Sequence, residues 1–335
     1  MGTTIRDVAR LAGVGVGTVS RVLNNSPQVS EATRRRVLEA MEALNYVPNP
    51  FARRLSLGKA LSLAVIVPFF TRPSFVERLR GVEAAIAETE YDLIVYNVES
   101  VAKRDAYFRT IPRPERIDGL LIISLSPSDA DVARFQSAGV PTVLVDAHHP
   151  RLPRVVIDDV NGGYIATCHL LELGHRRIAF LGDRYPNPFN FTSSHHRYLG
   201  YRQALEEAGI PFRPEYVVTG DHGRTEAREM AHYLLGLSEP PTAIVAASDV
   251  QALGVLEAAQ EREVPVPQAL SVIGYDDIEI AEYIHLTTIR QPLFDSGWRG
   301  VHLLLRIIER PLEEPISDRL PIELVVRATT APPPA

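Results

Sequence analysis

Residues 4–24 read TIRDVARLAGVGVGTVSRVLN, and this stretch decides how the first part of the chain folds. Thr4 stands where it can cap a helix, and Asp7 follows three residues on, facing the free N–H groups of the opening turn. Gly13 suits the end of that helix and Gly15 the start of a second one. Apolar residues recur at helical spacing in both segments, at Val8, Ala9 and Ala12 and at Val19, Val22 and Leu23. The pattern predicts two short helices joined by a tight turn.

A helix–turn–helix of this kind lays the N-terminal end of its second helix in the major groove of DNA. The side chains free to touch bases would then be those of Val16, Gly17, Ser20 and Arg21. One alternative is that the three glycines in five residues form a loop, because each glycine costs a helix interior about 1 kcal/mol. Another is a dinucleotide-binding glycine loop, but such a loop must follow a strand, and here a helix precedes it.

Charge is divided unevenly along the chain. The 335 residues carry a net charge of −6, yet residues 1–58 hold eight arginines and four carboxylates, a balance of +4 that leaves −10 for the remainder. A basic head on an acidic body is expected when the head alone binds nucleic acid. The alternative for the densest basic run, Arg34–Arg36, is a solvated helix face.

Composition argues against several other classes of protein. No apolar run approaches the ~20 residues that cross a bilayer, and no signal segment opens the chain, so we expect a cytoplasmic protein without membrane contact. Cys168 is the single cysteine, which excludes an internal disulfide and a multi-thiolate metal site. The adjacent histidines at 148–149 and 195–196 do not share a helix face as metal ligands would. No nucleophile elbow or phosphate-binding lysine loop is present, and we expect no enzyme activity, cofactor or metal.

A third helix is predicted from Glu31 to Leu44, with Ser30 as its cap. The apolar face that would pack on the first two helices consists of Val37, Leu38, Met41 and Leu44. Prolines at 48 and 50 end the helical pattern, since each holds the preceding residue extended. Residues 51–57, FARRLSL, then form a candidate helix that ends at Gly58 and is too short to be stable alone in water.

From residue 61 onward, short apolar segments alternate with amphipathic ones. The first series is rich in branched residues and apolar throughout, as buried parallel strands are: LSLAVIVP (61–68), DLIVYN (92–97), GLLIIS (119–124), PTVLVD (141–146) and RVVI (154–157). A second series repeats the rhythm: RRIAFLG (176–182), EYVVTG (215–220), TAIVAAS (242–248) and ALSVIGYD (269–276). Helices are expected at 75–89, 128–138, 196–208, 225–237 and 249–262. The alternation predicts an α/β core of two lobes, each a doubly wound parallel sheet, with a ligand cleft at the strand ends.

The string T-I-x-D-V-A-x-x-A-G-V-x-x-x-T-V-S-R-V-L-N resembles the headpiece of the lactose-repressor/galactose-repressor (LacI/GalR) family of bacterial transcription regulators. The family usually has serine or threonine at Gly15 and larger or polar residues at Val16 and Gly17, so the chain departs from the pattern where bases are read. Nearly all of residues 60–330 resemble the family's periplasmic-binding-protein-like core. Three strings carry that resemblance: LGHRRIA (173–179), SVIGYDD (271–277) and LTTIRQP (286–292).

The resemblance implies how the chain is divided. The expected parts are a headpiece (1–47), a hinge segment (48–59), an effector-binding core (60–330) and a tail (331–335). Within the core we expect an N-lobe of about 60–160 plus 292–321 and a C-lobe of about 161–291 plus 322–330. The chain would cross between them near 158–163, 291–295 and 320–323.

The resemblance also implies further DNA contacts. In the family, the hinge helix folds when two subunits pair it over the centre of the operator. By position, Leu55 would wedge into the minor groove, with Arg53 and Arg54 beside phosphates. The alternative for Leu55 is packing on its own domain. The remaining expected phosphate contacts are Thr18, Asn24 and Arg34–Arg36.

Six residues are expected to contact the effector: Arg197, Asp276, Ser248 and His222 by their positions in the family pattern, and Asp146 and Ser124 because they end strands of the N-lobe. Arg197 opens an R-x-x-G-Y motif, and its fork of donors suits vicinal hydroxyls, a carboxylate or a phosphate. Asp276 would accept from ligand hydroxyls or amines. Ser248 stands where relatives place asparagine, and His222 where relatives stack an aromatic ring. The alternative for each is a structural role, such as an internal salt bridge for Arg197 and Asp276.

Together these expectations describe a ligand-responsive transcription regulator, in the first place a repressor, that binds a pseudopalindromic operator as a homodimer. Its effector would be a sugar or related metabolite between the lobes, favouring one DNA-binding state. No heptad helix follows residue 330, which favours a dimer over a tetramer. The rivals are a sugar-transport protein, which would not use a headpiece, and an enzyme acting in the cleft. Turnover of ligand and salt-dependent DNA binding separate these classes.

Overall fold

The computed structural model describes residues 3–24, 26–47 and 59–334, which form two compact units divided after Ala60. The smaller unit is the headpiece, whose described residues form α1 (Ile5–Ala12), α2 (Val16–Leu23) and α3 (Glu31–Ala43). The Asp7 carboxylate accepts from the backbone N–H and the hydroxyl of Thr4, at 3.0 and 2.6 Å. Gly13 ends α1 with a left-handed φ of +63°, and Gly15 caps α2. The predicted helix–turn–helix is confirmed.

Small and branched side chains hold the three headpiece helices together. The buried members of this core are Val8, Ala9, Ala12, Val19, Val22, Val37 and Ala40. One prediction is wrong, because Leu38 remains 51% exposed. Each helical residue is turned about 100° from its neighbour, so Leu38 points away once Val37 faces the core. Met41 and Leu44 are partly buried at the rim of the core.

The N-lobe is built on a sheet of parallel strands. Its strands are β1 (Ser62–Pro68), β2 (Asp92–Val98), β3 (Gly119–Ile123), β4 (Thr142–Val145), β5 (Arg154–Val156) and β11 (Ser317–Arg319), in the order β11-β5-β4-β3-β1-β2. One face of the sheet packs against α4 (Pro73–Ala87) and α12 (Leu293–Glu309), and the other against α5 (Val101–Thr110) and α6 (Asp129–Ser137). Strand β2 is half-exposed, contrary to prediction, because it lies at the sheet edge.

The C-lobe repeats this arrangement with one reversed strand. Its strands are β6 (Ile178–Asp183), β7 (Val217–Gly220), β8 (Ala243–Ala246), β9 (Ser271–Asp276), β10 (Thr287–Arg290) and β12 (Glu323–Val325), in the order β12-β10-β9-β8-β6-β7. The helices are α7 (Asp159–Glu172) and α8 (Ser193–Glu207) on one face, and α9 (Arg224–Leu235) and α10 (Asp249–Glu261) on the other, with α11 (Glu279–Tyr283) leading to β10. The predicted doubly wound parallel arrangement is confirmed for most strands, and β12, for which no strand was predicted, pairs antiparallel with β10.

Within residues 59–334 the chain passes three times between the two sheets. Residues 157–158 lead from β5 to α7, residues 291–292 lead from β10 to α12, and residues 320–322 lead from β11 to β12. Helices α4 and α8 begin two and three residues earlier than predicted. At α4 the reason is Pro73, which is suited to the first helical turn.

The last described residues bind along the C-lobe. Val272 donates its N–H to the Thr329 carbonyl at 2.8 Å, and Ala331 donates its N–H to the Ser271 hydroxyl at 3.0 Å. The buried His175 ring contacts the Ala331 carbonyl through Nε2 at 2.8 Å and the Thr242 hydroxyl through Nδ1 at 2.9 Å. Burial lowers the pKa of His175, outweighing the hydrogen bond to Ala331, which acts to raise it.

Candidate effector cleft and DNA-binding surface

A cleft between the lobes brings together all six residues predicted to bind the effector. Its accessible volume is about 80 Å³, inside about 570 Å³ of unoccupied space that is partly open to solvent. Small-molecule sites span roughly 300–1,000 Å³, so the lobes would have to open further to admit a metabolite. The other lining residues are Arg72, Ser74, Phe75, Arg78, Asp183, Phe191, Ser193, Ser194 and Ala247. Contact of the six with an effector stays a prediction.

Arg197 is the centre of the C-lobe wall and is only 6% exposed. Its Nε donates to Asp159 Oδ1 at 2.8 Å, and its Nη1 donates to the Ala247 carbonyl at 2.6 Å. The guanidinium carbon lies 3.5 Å from the ring centre of Tyr275. Burial lowers the pKa of Arg197, but the carboxylates of Asp159 and Asp276 outweigh burial and raise it, so the side chain stays charged.

Asp276 ends β9 beside this arginine. Its Oδ1 lies 3.7 Å from Arg197 Nη1 and accepts a hydrogen bond from the side-chain amide of Gln291. Burial raises the pKa of both Asp276 and Asp159, and the positive charge of Arg197 opposes the rise in each. Arg197 therefore opposes the protonation of both acids.

The N-lobe wall presents a similar group. Asp146, directly after β4, accepts a hydrogen bond from the Ser124 hydroxyl and lies 3.1 Å from Arg78 Nη2. Ser124 and Asp146 have φ of +55° and +54°, and Asp276 has +116°. Such backbone strain costs of order 1–3 kcal/mol per residue and gathers at functional sites. Three such residues lie around this one cleft, which agrees with its prediction as a ligand site.

His222 and Ser248 belong to a polar network on the C-lobe wall. His222 Nδ1 lies 3.0 Å from Asp183 Oδ1, and Gln251 Nε2 donates to the same oxygen at 2.9 Å. The Ser248 hydroxyl caps α10 by accepting the Gln251 N–H at 3.2 Å. Both residues thus have structural partners as well as positions in the cleft.

Three residues that the sequence analysis did not assign complete the site: Asp159, Arg78 and Gln291. Arg78 could have been found from its helix. It shares the buried face of α4 with Phe75 and Val82, and a charged residue on an otherwise apolar face is a sign of a buried partner. Nothing in the local pattern identifies Gln291, which is brought to the cleft by the crossing between β10 and α12.

The predicted base-reading residues lie on one side of α2. Val16, Gly17 and Arg21 are exposed, and Thr18, Ser20 and Asn24 are partly exposed. A Cβ atom at Gly17 would meet no atom of the described chain within 4 Å, so this surface is open. These features suit a helix that enters a groove.

The arginines of α3 differ in their exposure and in their hydrogen bonds. Arg35 and Arg36 are exposed, whereas Arg34 donates through Nη2 to the Ser26 carbonyl at 3.0 Å. Arg34 thereby ties the turn between α2 and α3 to the helix. The other predicted DNA contacts, Arg53, Arg54 and Leu55, lie outside the described residues.

Across 3–24, 26–47 and 59–334, no three or more histidine, cysteine, aspartate or glutamate side chains gather where they would hold a metal ion. None of the helices described there has the length and apolar character needed to cross a membrane.

A helix–turn–helix unit with an open second helix, joined in one chain to a two-lobed core with a strained, charged cleft, defines the class of ligand-sensing DNA-binding regulators. Comparison with known proteins supports this class. Residues 4–49 match bacterial regulatory proteins of the lacI family, and residues 167–330 match the periplasmic binding protein-like domain. The chain belongs to the LacI family of bacterial transcription regulators.

Individual relatives match over almost the whole chain. The HTH-type transcriptional repressor CytR of Escherichia coli K12 is 34% identical over 332 residues, which cover 98% of this chain and 96% of that protein. The lac repressor dimer bound to operator and the anti-inducer ONPF has a TM-score of 0.87 at 28% identity, covering 99% of this chain and 100% of that one. The transcriptional regulator CelR in complex with cellobiose has a TM-score of 0.73 at 31% identity, covering 98% and 99%. These relatives are regulators of transcription, not enzymes.

Proposed function

We propose that this protein is a transcriptional repressor that binds a pseudopalindromic operator as a homodimer and responds to a small molecule in the cleft. The observation that carries the proposal is the cleft itself, where strained strand ends from two lobes surround buried arginine–carboxylate pairs. A purely structural connection between lobes needs neither strained strand ends nor a polar cavity. We place its action in the cytoplasm, where the DNA that such regulators bind is found.

The headpiece supplies the DNA-binding surface in this proposal. Arg21 and Ser20 on α2 read base edges, and Thr18, Asn24 and the arginines at 34–36 contact phosphates. Val16 lies beside Gly17, where no side chain blocks close approach of the helix to the groove. The hinge residues Arg53, Arg54 and Leu55 are proposed to bind the centre of the operator, as the family pattern implies.

Exposed apolar side chains on the N-lobe support a homodimer. Val95 on the edge strand β2, Val76 on the adjoining helix α4 and Phe70 before that helix are each about two-fifths exposed. Apolar side chains clustered at a sheet edge favour contact with another protein surface. A second copy of the same edge, related by two-fold symmetry, would match the two-fold symmetry of a pseudopalindrome.

A sugar or related metabolite is the proposed effector. The cleft offers guanidinium donors and carboxylate acceptors on facing walls, which together suit vicinal hydroxyls. The cellobiose complex of CelR supports a carbohydrate in this fold. A ligand that bridges the walls favours one arrangement of the lobes, and operator affinity changes if that arrangement favours one DNA-binding state.

The test uses the full chain and a random-sequence duplex library. Sequences bound by the wild-type protein are selected, and the affinity for the selected duplex is measured by fluorescence anisotropy between 50 and 200 mM salt. We expect a steep fall of affinity with salt, by about 10³-fold or more if six phosphates are engaged. Replacing Arg21 by alanine should weaken binding and relax the selected sequence, whereas Arg184→Ala on the C-lobe should change neither. Selection of no consensus, or equal loss in both variants, would contradict the proposal.

A further inference from the structure

We propose that Arg78 is the N-lobe residue that recognises the effector, in a cleft whose charges are balanced for an uncharged, oxygen-rich ligand. The inference rests on the proposed effector site and adds to it a recognition residue and a class of ligand. It follows from the contacts of Arg78 and from the charges around the cleft.

Arg78 is held rigidly but is not fully satisfied. It is 2% exposed, and its Nη2 lies 3.1 Å from Asp146 Oδ2 and 3.0 Å from the side-chain oxygen of Gln291. Its Nε is buried and has no hydrogen-bond partner among the residues that the structure describes. Buried N–H groups are nearly always paired, and Arg78 lines the cleft, so a ligand oxygen is the acceptor that completes it.

The two contacts of Arg78 also fix its direction before any ligand arrives. Asp146 holds it from the end of β4, and Gln291 holds it from the crossing that leads to α12. Gln291 in turn donates to Asp276 on the C-lobe wall. A donor that is already oriented loses little conformational entropy on binding, which favours discrimination between ligands.

The charges that line the cleft cancel. Three arginines, Arg72, Arg78 and Arg197, face three aspartates, Asp146, Asp183 and Asp276. Arg197 is already paired with a further carboxylate, Asp159, at 2.8 Å. An anionic ligand would lose its water without gaining an excess of positive charge, which is unfavourable. A neutral polyol avoids that loss, since its hydroxyls accept from the arginines and donate to the aspartates.

The first experiment compares neutral sugars with their anionic counterparts by isothermal titration calorimetry on the full chain. The pairs are D-ribose with ribose 5-phosphate, D-glucose with glucose 6-phosphate, and cellobiose with cellobionate. We expect the tightest-binding sugar to exceed its anionic counterpart at least tenfold in affinity. Tighter binding of the anionic member would overturn the inference about charge while leaving a ligand-sensing cleft intact.

The second experiment tests Arg78 itself with Arg78→Lys, which keeps a positive charge beside Asp146 but removes the Nε donor. Arg80→Lys is the matched control, because Arg80 lies on the same helix and its side chain is 66% exposed. We expect Arg78→Lys to weaken the best sugar at least tenfold and Arg80→Lys to leave it unchanged. Equal affinity of both variants for that sugar would show that Arg78 has only a structural role.

A third measurement separates recognition of the sugar from a purely structural role of Arg78. It compares how much affinity each protein loses when a single hydroxyl of the sugar is removed. Among the monodeoxy analogues of the best sugar, one should bind the wild type more weakly yet bind Arg78→Lys as well as the parent sugar does. Equal losses in both proteins for every analogue would overturn the assignment.

If Arg78→Lys does not fold, ¹⁵N NMR of the wild type replaces it. Bound sugar should slow hydrogen exchange at one arginine Nε–H, and unchanged exchange would overturn the assignment. The proposed function fails separately, if bound sugar never alters operator affinity.

Discussion

Replacing Arg197 with methionine is the most informative perturbation of the cleft. Methionine preserves much of the side-chain volume but removes the charge that Asp159 and Asp276 share. Burial raises the pKa of both acids, so without Arg197 each must either take up a proton or remain charged with no ion-pair partner on that side. Breaking a buried ion pair on one side costs about 3–5 kcal/mol.

This loss of free energy corresponds to a fall in the melting temperature, Tm. A loss of 3–5 kcal/mol at about 2–4 °C per kcal/mol, typical of domains of 150–250 residues, lowers Tm by roughly 6–20 °C. Differential scanning calorimetry of the full chain measures it. Arg184→Met is the control, because Arg184 is largely exposed and its nearest carboxylate, Asp221, is 3.9 Å away. The control should shift Tm by less than 2 °C, since surface substitutions stay within about 0.5 kcal/mol.

A double substitution identifies the cause. If the loss arises from a carboxylate left without its partner, Asp159→Asn added to Arg197→Met should recover part of the lost stability, since the amide carries no charge. A double variant no more stable than Arg197→Met, or an Arg197→Met protein within 1 kcal/mol of wild type, would refute the electrostatic account of the cleft.

Four further predictions concern the rest of the molecule. Gly200→Ala should destabilise the C-lobe by about 1–3 kcal/mol, because its Cβ would stand 1.9 Å from the Val160 carbonyl oxygen. Gly17→Ala, where a Cβ meets nothing among the described residues within 4 Å, should stabilise the headpiece by up to about 1 kcal/mol. Urea unfolding checks both, and equal effects would contradict the packing argument. Burial lowers the pKa of His175, so its contribution to stability is complete above the unfolded pKa of about 6.5 and is lost as pH falls from there toward the folded pKa. Between pH 8 and pH 5, Tm should therefore fall less in His175→Gln than in wild type, and parallel curves would contradict this. Val95→Asp should shift the protein from dimer to monomer in sedimentation velocity while ligand affinity is kept, and an unchanged dimer would exclude this edge as the interface.

Local signals predicted most of the elements but not the contacts between them. The caps at Thr4 and Gly13 and the apolar segments that became β3 and β4 are set by a few neighbouring residues, and the structure places them as expected. The prediction that Leu38 is buried was wrong, because hydrophobicity alone does not specify which of two neighbouring positions faces a small core. No strand was predicted at Glu323–Val325, and its antiparallel pairing with β10 depends on where the chain returns from the other lobe.

In the cleft, too, the sequence predicted positions within elements but not the contacts between elements. Residues at strand ends were predictable, since parallel sheets bring those ends to one edge. Arg78 and Gln291 meet across 213 residues of sequence, and only the assembled lobes reveal that they share a hydrogen bond. A pair of this kind leaves no periodicity or spacing that a single sequence can display.

Occupation of the cleft is proposed to control the affinity of the headpiece for DNA. The most direct measurement is the affinity of the full chain for its selected operator duplex, followed by fluorescence anisotropy as the best-binding sugar is added. We expect a saturable change in operator affinity in the wild type, loss of that change in Arg197→Met, and its retention in Arg184→Met. A sugar that demonstrably fills the cleft but leaves operator affinity constant throughout the titration would contradict the proposal.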